Sequence, residues 1–106
     1  MILATTEQIS GKKTEVLQMV EGSTVQTVNL LRDIGSGLKT IVGGELMKYN
    51  DMMRAARELA VSRMVEQAEA IGADAITGIR YSSSSIMQGA AEVLVYGTAV
   101  KFLPDN

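Results

Sequence analysis

The sequence predicts an α+β fold, a two-layer α/β sandwich in which a mainly antiparallel sheet packs on one long helix plus a short helix. Three observations lead there. Residues 50–71 repeat their apolar positions with a helical period, the runs on either side are rich in Val, Thr and Ile, and turn residues separate these segments. The chain has 106 residues, the size of one domain, and its 46% hydrophobic and 21% charged fractions are ordinary for a globular protein. Residues 1–106 therefore read as a single domain, able to bury about 65% of the surface its unfolded form exposes. Tyr49, Tyr81, Tyr96 and Phe102 are the only aromatics, so the core must be aliphatic, with seven Met as adaptable filler.

Ile2 to Thr6 reads as a short strand, and Gly11-Lys12-Lys13 as a turn. Thr14 to Val28 alternates, with Val16, Val20 and Val28 on one parity and Leu17, Met19 and Val25 on the other. Glu21-Gly22-Ser23 interrupts it, which predicts either a hairpin or one long strand bulged at Gly22. From Arg32 to Gly44 the spacing of Ile34, Leu38, Ile41 and Val42 is that of a short helix, capped by Asp33 and stopped by Gly43-Gly44. Gly35 and Gly37 weaken that helix by about 1 kcal/mol each relative to Ala.

The long helix is expected from Asn50, as cap, to Ile71, with Gly72 as its stop. Tyr49, Met52, Met53, Ala56, Leu59, Ala60, Met64, Ala68 and Ile71 form its apolar stripe, widened by Val61 and Val65. Arg54, Arg57, Glu58, Ser62, Glu66 and Glu69 take the other side. Ala73 to Tyr81 then reads as a strand, Ser82 to Ser85 with Gln88-Gly89 as a loop, and Ala91 to Phe102 as the last strand, closed by Pro104. That strand is apolar on both parities: Ala91, Val93, Val95 and Ala99 on one, Leu94, Tyr96, Val100 and Phe102 on the other. One helix covers one face of a sheet. Leaving the second face wet would forfeit about 1.5–3 kcal/mol per large side chain, so burial against another copy of the chain is the expectation.

Several functions are disfavoured by composition. Ten basic and twelve acidic residues give a net charge of −2, and the basic residues are scattered, unlike the footprint of a nucleic-acid binder. No apolar run reaches the roughly 18–20 residues that span a bilayer, and Met1 to Lys13 lacks a signal-peptide pattern, so neither nucleic acid nor membrane is an expected partner. With no Cys there is no disulfide framework to argue for export, and a cytoplasmic location is expected. The absence of both His and Cys removes the usual neutral-pH base, the thiolate nucleophile and the soft metal ligands. No catalytic residue is assigned, and an enzyme is the least favoured reading.

Arg32-Asp33-Ile34-Gly35-Ser36-Gly37-Leu38-Lys39-Thr40 has phosphate-loop ingredients, but Leu38 separates Gly37 from Lys39 and the Gly-x-Gly pair lacks a third glycine. Its small residues read better as permitting close packing. Glu45, following Gly43-Gly44 and not far from Asp33, could join an oxygen-ligand site for a divalent cation. The candidate ligand-binding residues are therefore Arg32, Asp33, Gly43, Gly44 and Glu45, with Asp33 and Glu45 as the metal-ligating pair. Arg80 and Glu92 are expected to form a cross-strand ion pair.

These segments also carry a resemblance. Met1 to Thr6, Gly22-Ser23-Thr24-Val25, Ile41-Val42-Gly43-Gly44-Glu45, Ala55 to Ala60, Ile71 to Tyr81 and Tyr96-Gly97-Thr98-Ala99-Val100 together resemble the bacterial YbjQ family over essentially the whole chain. The resemblance implies a dodecin-subunit type of fold, a ring-like homopentamer, and a heavy-metal-binding label on a family of uncharacterised function. That label sits badly with the residues here, because soft metals prefer thiolate and imidazole. Met52, Met53 and Met64 lie on the apolar helix stripe, as core filler. Two readings stand: a homo-oligomeric module binding a metal cation or small ligand at or near subunit interfaces, or a structural and protein-interaction module with no small-molecule ligand.

Overall fold

The computed structural model describes residues 1–27, 43–87 and 89–105, with the side chains of residues 43–46 outside that description. Its elements are β1 (Ile2–Leu3), β2 (Thr14–Thr27), α1 (Gly43–Ala70), β3 (Ala75–Met87) and β4 (Ala90–Phe102). The strands form one sheet in the order β1-β3-β4-β2. β1 runs parallel to β3, and β4 is antiparallel to both its neighbours. With α1 on one face, the domain is an α+β fold in two layers. The short helix expected near 32–44 falls almost wholly on residues 28–42, outside the described residues.

Gly43 and Gly44 do not stop a helix; they begin α1, which runs 28 residues to Ala70. Glycine signals a C-terminus only where the helical pattern ends before it, and here Met47 and Tyr49 carry the pattern upstream. Asn50, expected as the cap, lies inside the helix, where its modest propensity penalty is outweighed by the packing of its neighbours. The other end follows expectation. Gly72 takes φ +79°, its N–H donates to Glu69 O at 3.0 Å, and the Ala73 N–H donates to Ala68 O at 3.1 Å. Those two bonds close the last carbonyls in the Schellman pattern, and Lys101 Nζ adds a third, to Gly72 O at 3.0 Å.

β2 is one continuous strand, but its bulge lies at Leu17 rather than Gly22: Val16 pairs with Val100 and Gln18 with Ala99, leaving Leu17 as the extra residue. Val16 and Val20, one parity in sequence, consequently sit on opposite faces. Gly22 is a glycine for another reason. A Cβ there would meet the Ala60 carbonyl oxygen and lie 2.6 Å from the Met64 amide nitrogen, so helix and sheet backbones approach closely here. β3 carries its own bulge at Gly78, φ +62°, opposite Gly97. Ser82 to Ser85 belong to β3 and pair with residues 91–94 of β4. They were expected as a loop because serine has low strand propensity, which the long ladder to β4 overrides.

The core lies between α1 and the near face of the sheet. Met52, Ala56, Ala60, Met64 and Ala68 are the buried row of the helix, and the last four cluster with Val20, Ile76, Ile79, Val93, Val95 and Ala99. A row at i, i+4 is inclined about 26° to the helix axis, so α1 crosses the strands obliquely, as their twist requires. Three of the five residues are Ala, which brings the helix down onto Gly22. Helix and hairpin match in reach: 28 residues of helix span about 42 Å, and the 13 residues of β4 about 43 Å.

The far face of β4 is less bare than its sequence suggests. Val100 is buried, Leu94 and Phe102 are half-buried, and Tyr96 is exposed. The N-terminal segment after β1 lies on this side, with Glu7 beside Thr77 and Thr98 and Lys12 Nζ 5.1 Å from the Phe102 ring centroid. Exposed apolar residues on the neighbouring strands include Val16, Met19 and Val25 of β2 and Ile86 and Met87 of β3. The radius of gyration is 17.9 Å, against about 13 Å for a spherical domain of this length. The molecule is a slab of 67 × 22 × 16 Å.

Candidate functional site

Of the five sequence-predicted site residues, Arg32 and Asp33 lie outside the described residues. Gly43 and Gly44 form the first turn of α1 together with Glu45, whose side chain also lies outside them. The described residues therefore bring no part of the expected Asp33–Glu45 metal pair together. Among them there is also no group of three or more Asp, Glu, His or Cys that could hold a metal ion. The whole chain has neither His nor Cys, so thiolate and imidazole are not in its donor set and Met thioethers are the soft donors it offers.

Where the structure does open a concave surface is along the flank of α1. The helix packs on β2 and β4 and barely reaches β3, because its buried row is narrow and Gly22 draws it toward β2. The near face of β3 beyond Ile79 is left uncovered. Arg54, Arg57, Glu58 and Val61 on the helix and Tyr81 on β3 enclose a cleft of about 360 Å³. A second hollow of about 460 Å³, lined by Met47, Tyr49, Asn50, Met53 and Arg57, adjoins it through Arg57. A third, of about 180 Å³, reaches from Val61 and Tyr81 to Leu3 and Thr5 at the N-terminal segment. Shared residues make the three one trough, following the helix row Tyr49, Met53, Arg57, Val61.

Electrostatically the central cleft is distinctive. Arg54 and Arg57 are three positions apart on one helix face, and neither guanidinium has a hydrogen bond or ion pair among the described residues. Arg63 and Arg80 are differently placed. Arg63 Nη1 donates to Ser23 O at 2.7 Å, and Arg80 Nη1 donates to Thr5 O at 2.9 Å and Ile79 O at 2.8 Å. The expected Arg80–Glu92 pair is not formed, because β3 runs on to Met87 opposite Ala90, a register that sets Arg80 opposite Tyr96 and Glu92 opposite Ser84.

The sheet edges differ too. Along β2, the Glu21 N–H donates to Gln67 Oε1 at 2.7 Å, and with the Arg63 bond the helix closes the middle of that edge. Along β3, the Ile79 N–H donates to Ala4 O at 3.1 Å and the Gly78 N–H to Thr6 O at 2.8 Å. Past Ile79 the N-terminal segment departs, and residues 80–87 pair with β4 alone among the described residues. The sequence reading missed the cleft because it put Arg54, Arg57 and Glu58 on a solvated helix face. One signal was present: Arg57 interrupts an i, i+4 row, Tyr49, Met53, Val61, Val65, that is otherwise apolar.

Comparison with known proteins agrees with the fold. A family model described as "Putative heavy-metal-binding", that of the YbjQ family, matches residues 1–103. A UPF0145 protein of Clostridium novyi is 60% identical, the match covering 97% of this chain and 100% of that one. A UPF0145 protein of Methanosarcina acetivorans is 54% identical over 97% of this chain and 98% of its own, so relatives occur in archaea as well as bacteria. Among solved structures, a protein of unknown function of the DUF74 family from Pediococcus pentosaceus superposes with a TM-score of 0.70 at 18% identity, covering 97% of this chain and 98% of that one. With its model matched over nearly the whole length and relatives at this level of identity, the chain belongs to the YbjQ family.

Proposed function

We propose that this chain is a cytoplasmic subunit of a ring-like homo-oligomer, a pentamer, that binds a small ligand or hard cation at or near its subunit interfaces. The observation that carries the assembly is the outer half of β3. All of residues 80–87 are exposed, and they pair with β4 alone among the described residues. An open edge is a template for another strand, and exposed Ile86 and Met87 supply apolar surface at its end. The elongated shape supports the same reading, since a slab this thin reaches globular proportions only by stacking with others. A contact between unlike surfaces closes into a ring when its rotation closes. For a cation the fitting donors are oxygens, with Asp33 and Glu45 the acids proposed to contribute.

Native mass spectrometry of the untagged protein at micromolar concentration, followed by elemental analysis after titration with divalent cations, tests both parts. The expected result is a species of five times the chain mass that retains cation stoichiometrically and loses it in Asp33→Ala and Glu45→Ala. Ile86→Lys with Met87→Lys should dissociate it while helical signal is kept. A monomer would overturn the assembly. An assembly that takes up no cation, or takes it up unchanged in both acid variants, would overturn the cation site and leave an interaction module as the better reading.

A further inference from the structure

We propose that the cleft between α1 and β3 is a binding site for a small amphipathic monoanion, a carboxylate or sulfonate carried on a flat apolar body. Arg54 and Arg57 take the anionic head, and Val61 and Tyr81 hold the body. The site uses residues of one chain, with Tyr81 also on the β3 stretch proposed above to meet another copy.

The two guanidinium groups are the first argument. The other described arginines are engaged by backbone carbonyls at 2.7–2.9 Å. Arg54 and Arg57 have no such partner among the described residues, although both border a hollow. Arg57 is half-buried at the cleft wall, and an anion there would supply its guanidinium with the charge-assisted acceptor that the described residues do not. Arginine also presents paired N–H donors in the geometry a carboxylate accepts.

The charge balance decides the class of anion. Glu58 lines the same cleft, so two positive side chains and one negative leave a single net positive charge. That matches one negative charge and disfavours a diphosphate or a nucleotide. Size points the same way. About 360 Å³ lies near the lower end of the roughly 300–1,000 Å³ typical of ligand sites, suited to a body of one or two rings. Beyond the charged groups the walls are apolar: the Val61 methyls and the Tyr81 ring, which offers a stacking face.

A charge-only comparison tests this. 1-Naphthylacetate and its neutral isostere 1-naphthylacetamide are titrated against the full-length protein by isothermal calorimetry, with inorganic phosphate as the head group alone. The acid should bind at least tenfold tighter than the amide, and tighter than phosphate. Arg57→Gln should weaken the acid about tenfold and leave the amide unchanged, with Arg54→Gln acting in the same direction. Glu58→Gln should tighten the acid severalfold by removing a like charge, and Tyr81→Ala should weaken acid and amide alike. Far-UV circular dichroism melting establishes that each variant is folded. Equal affinities for acid and amide, no binding of the acid at millimolar concentration, phosphate binding as tightly as the acid, or an unchanged or weakened acid in Glu58→Gln would each overturn the assignment.

Discussion

Replacing Gly22 by alanine adds one methyl group at the point where sheet and helix backbones touch. The added carbon would overlap the Ala60 carbonyl oxygen and stand 2.6 Å from the Met64 amide nitrogen. Ordinary contact is about 3.5–4.0 Å, so α1 must lift by about 1 Å over the whole buried row. A gap of that size forfeits about a quarter to a half of the dispersion energy along the row. Overpacking typically costs about 1–3 kcal/mol. Here the upper end applies, because the obstacles are backbone atoms that no rotamer change can move. With a shift of about 4–8 °C per kcal/mol for a domain near this size, the melting temperature should fall by roughly 12 °C or more. The assay is thermal unfolding by circular dichroism at fixed protein concentration, since self-association would make the midpoint concentration-dependent. Ala60→Gly in the same chain should give no rescue, because the carbonyl and amide remain. A Gly22→Ala protein melting within about 2 °C of the parent would refute the close approach of α1 to β2.

Met64→Ala removes one of the largest fully buried side chains among the described residues and should cost about 2–5 kcal/mol, read as a lower urea midpoint with an unchanged slope. Arg63→Ala combined with Gln67→Ala frees Ser23 O and the Glu21 N–H on the β2 edge. Because that edge is solvent-exposed, unfolding should shift by only about 1–2 kcal/mol. Concentration-dependent association through the reopened edge should rise, as light scattering would report; a variant that stays at the parent mass would show that the two side chains do not guard the edge.

The long helix was legible from its period, and so was its C-terminal stop at Gly72, because both signals are local. Its start was not. Gly43-Gly44 carries the same local signature at a helix beginning as at an end, and only packing upstream of Asn50 settles which it is. Strand existence was legible for β2 and β4, but faces were not. A single bulge at Leu17 moves Val16 and Val20 to opposite sides, and a parity count cannot register an inserted residue. The serine run was misread for a related reason, since its strand conformation comes from pairing with β4 and not from its own propensity.

For function, composition alone determined what this protein lacks: without His or Cys there is no imidazole base and no thiolate, wherever the chain folds. It also determined, through segments spread over the whole length, the family resemblance. The cleft and the open edge were decided by tertiary structure. Tyr81 lies more than twenty positions from Arg54 and Arg57 in the chain, and they border one cleft because Gly22 and a row of alanines draw α1 toward β2, which uncovers β3. Which face of a sheet a helix leaves bare depends on where two backbones can touch, and that contact is written in no local pattern of residues.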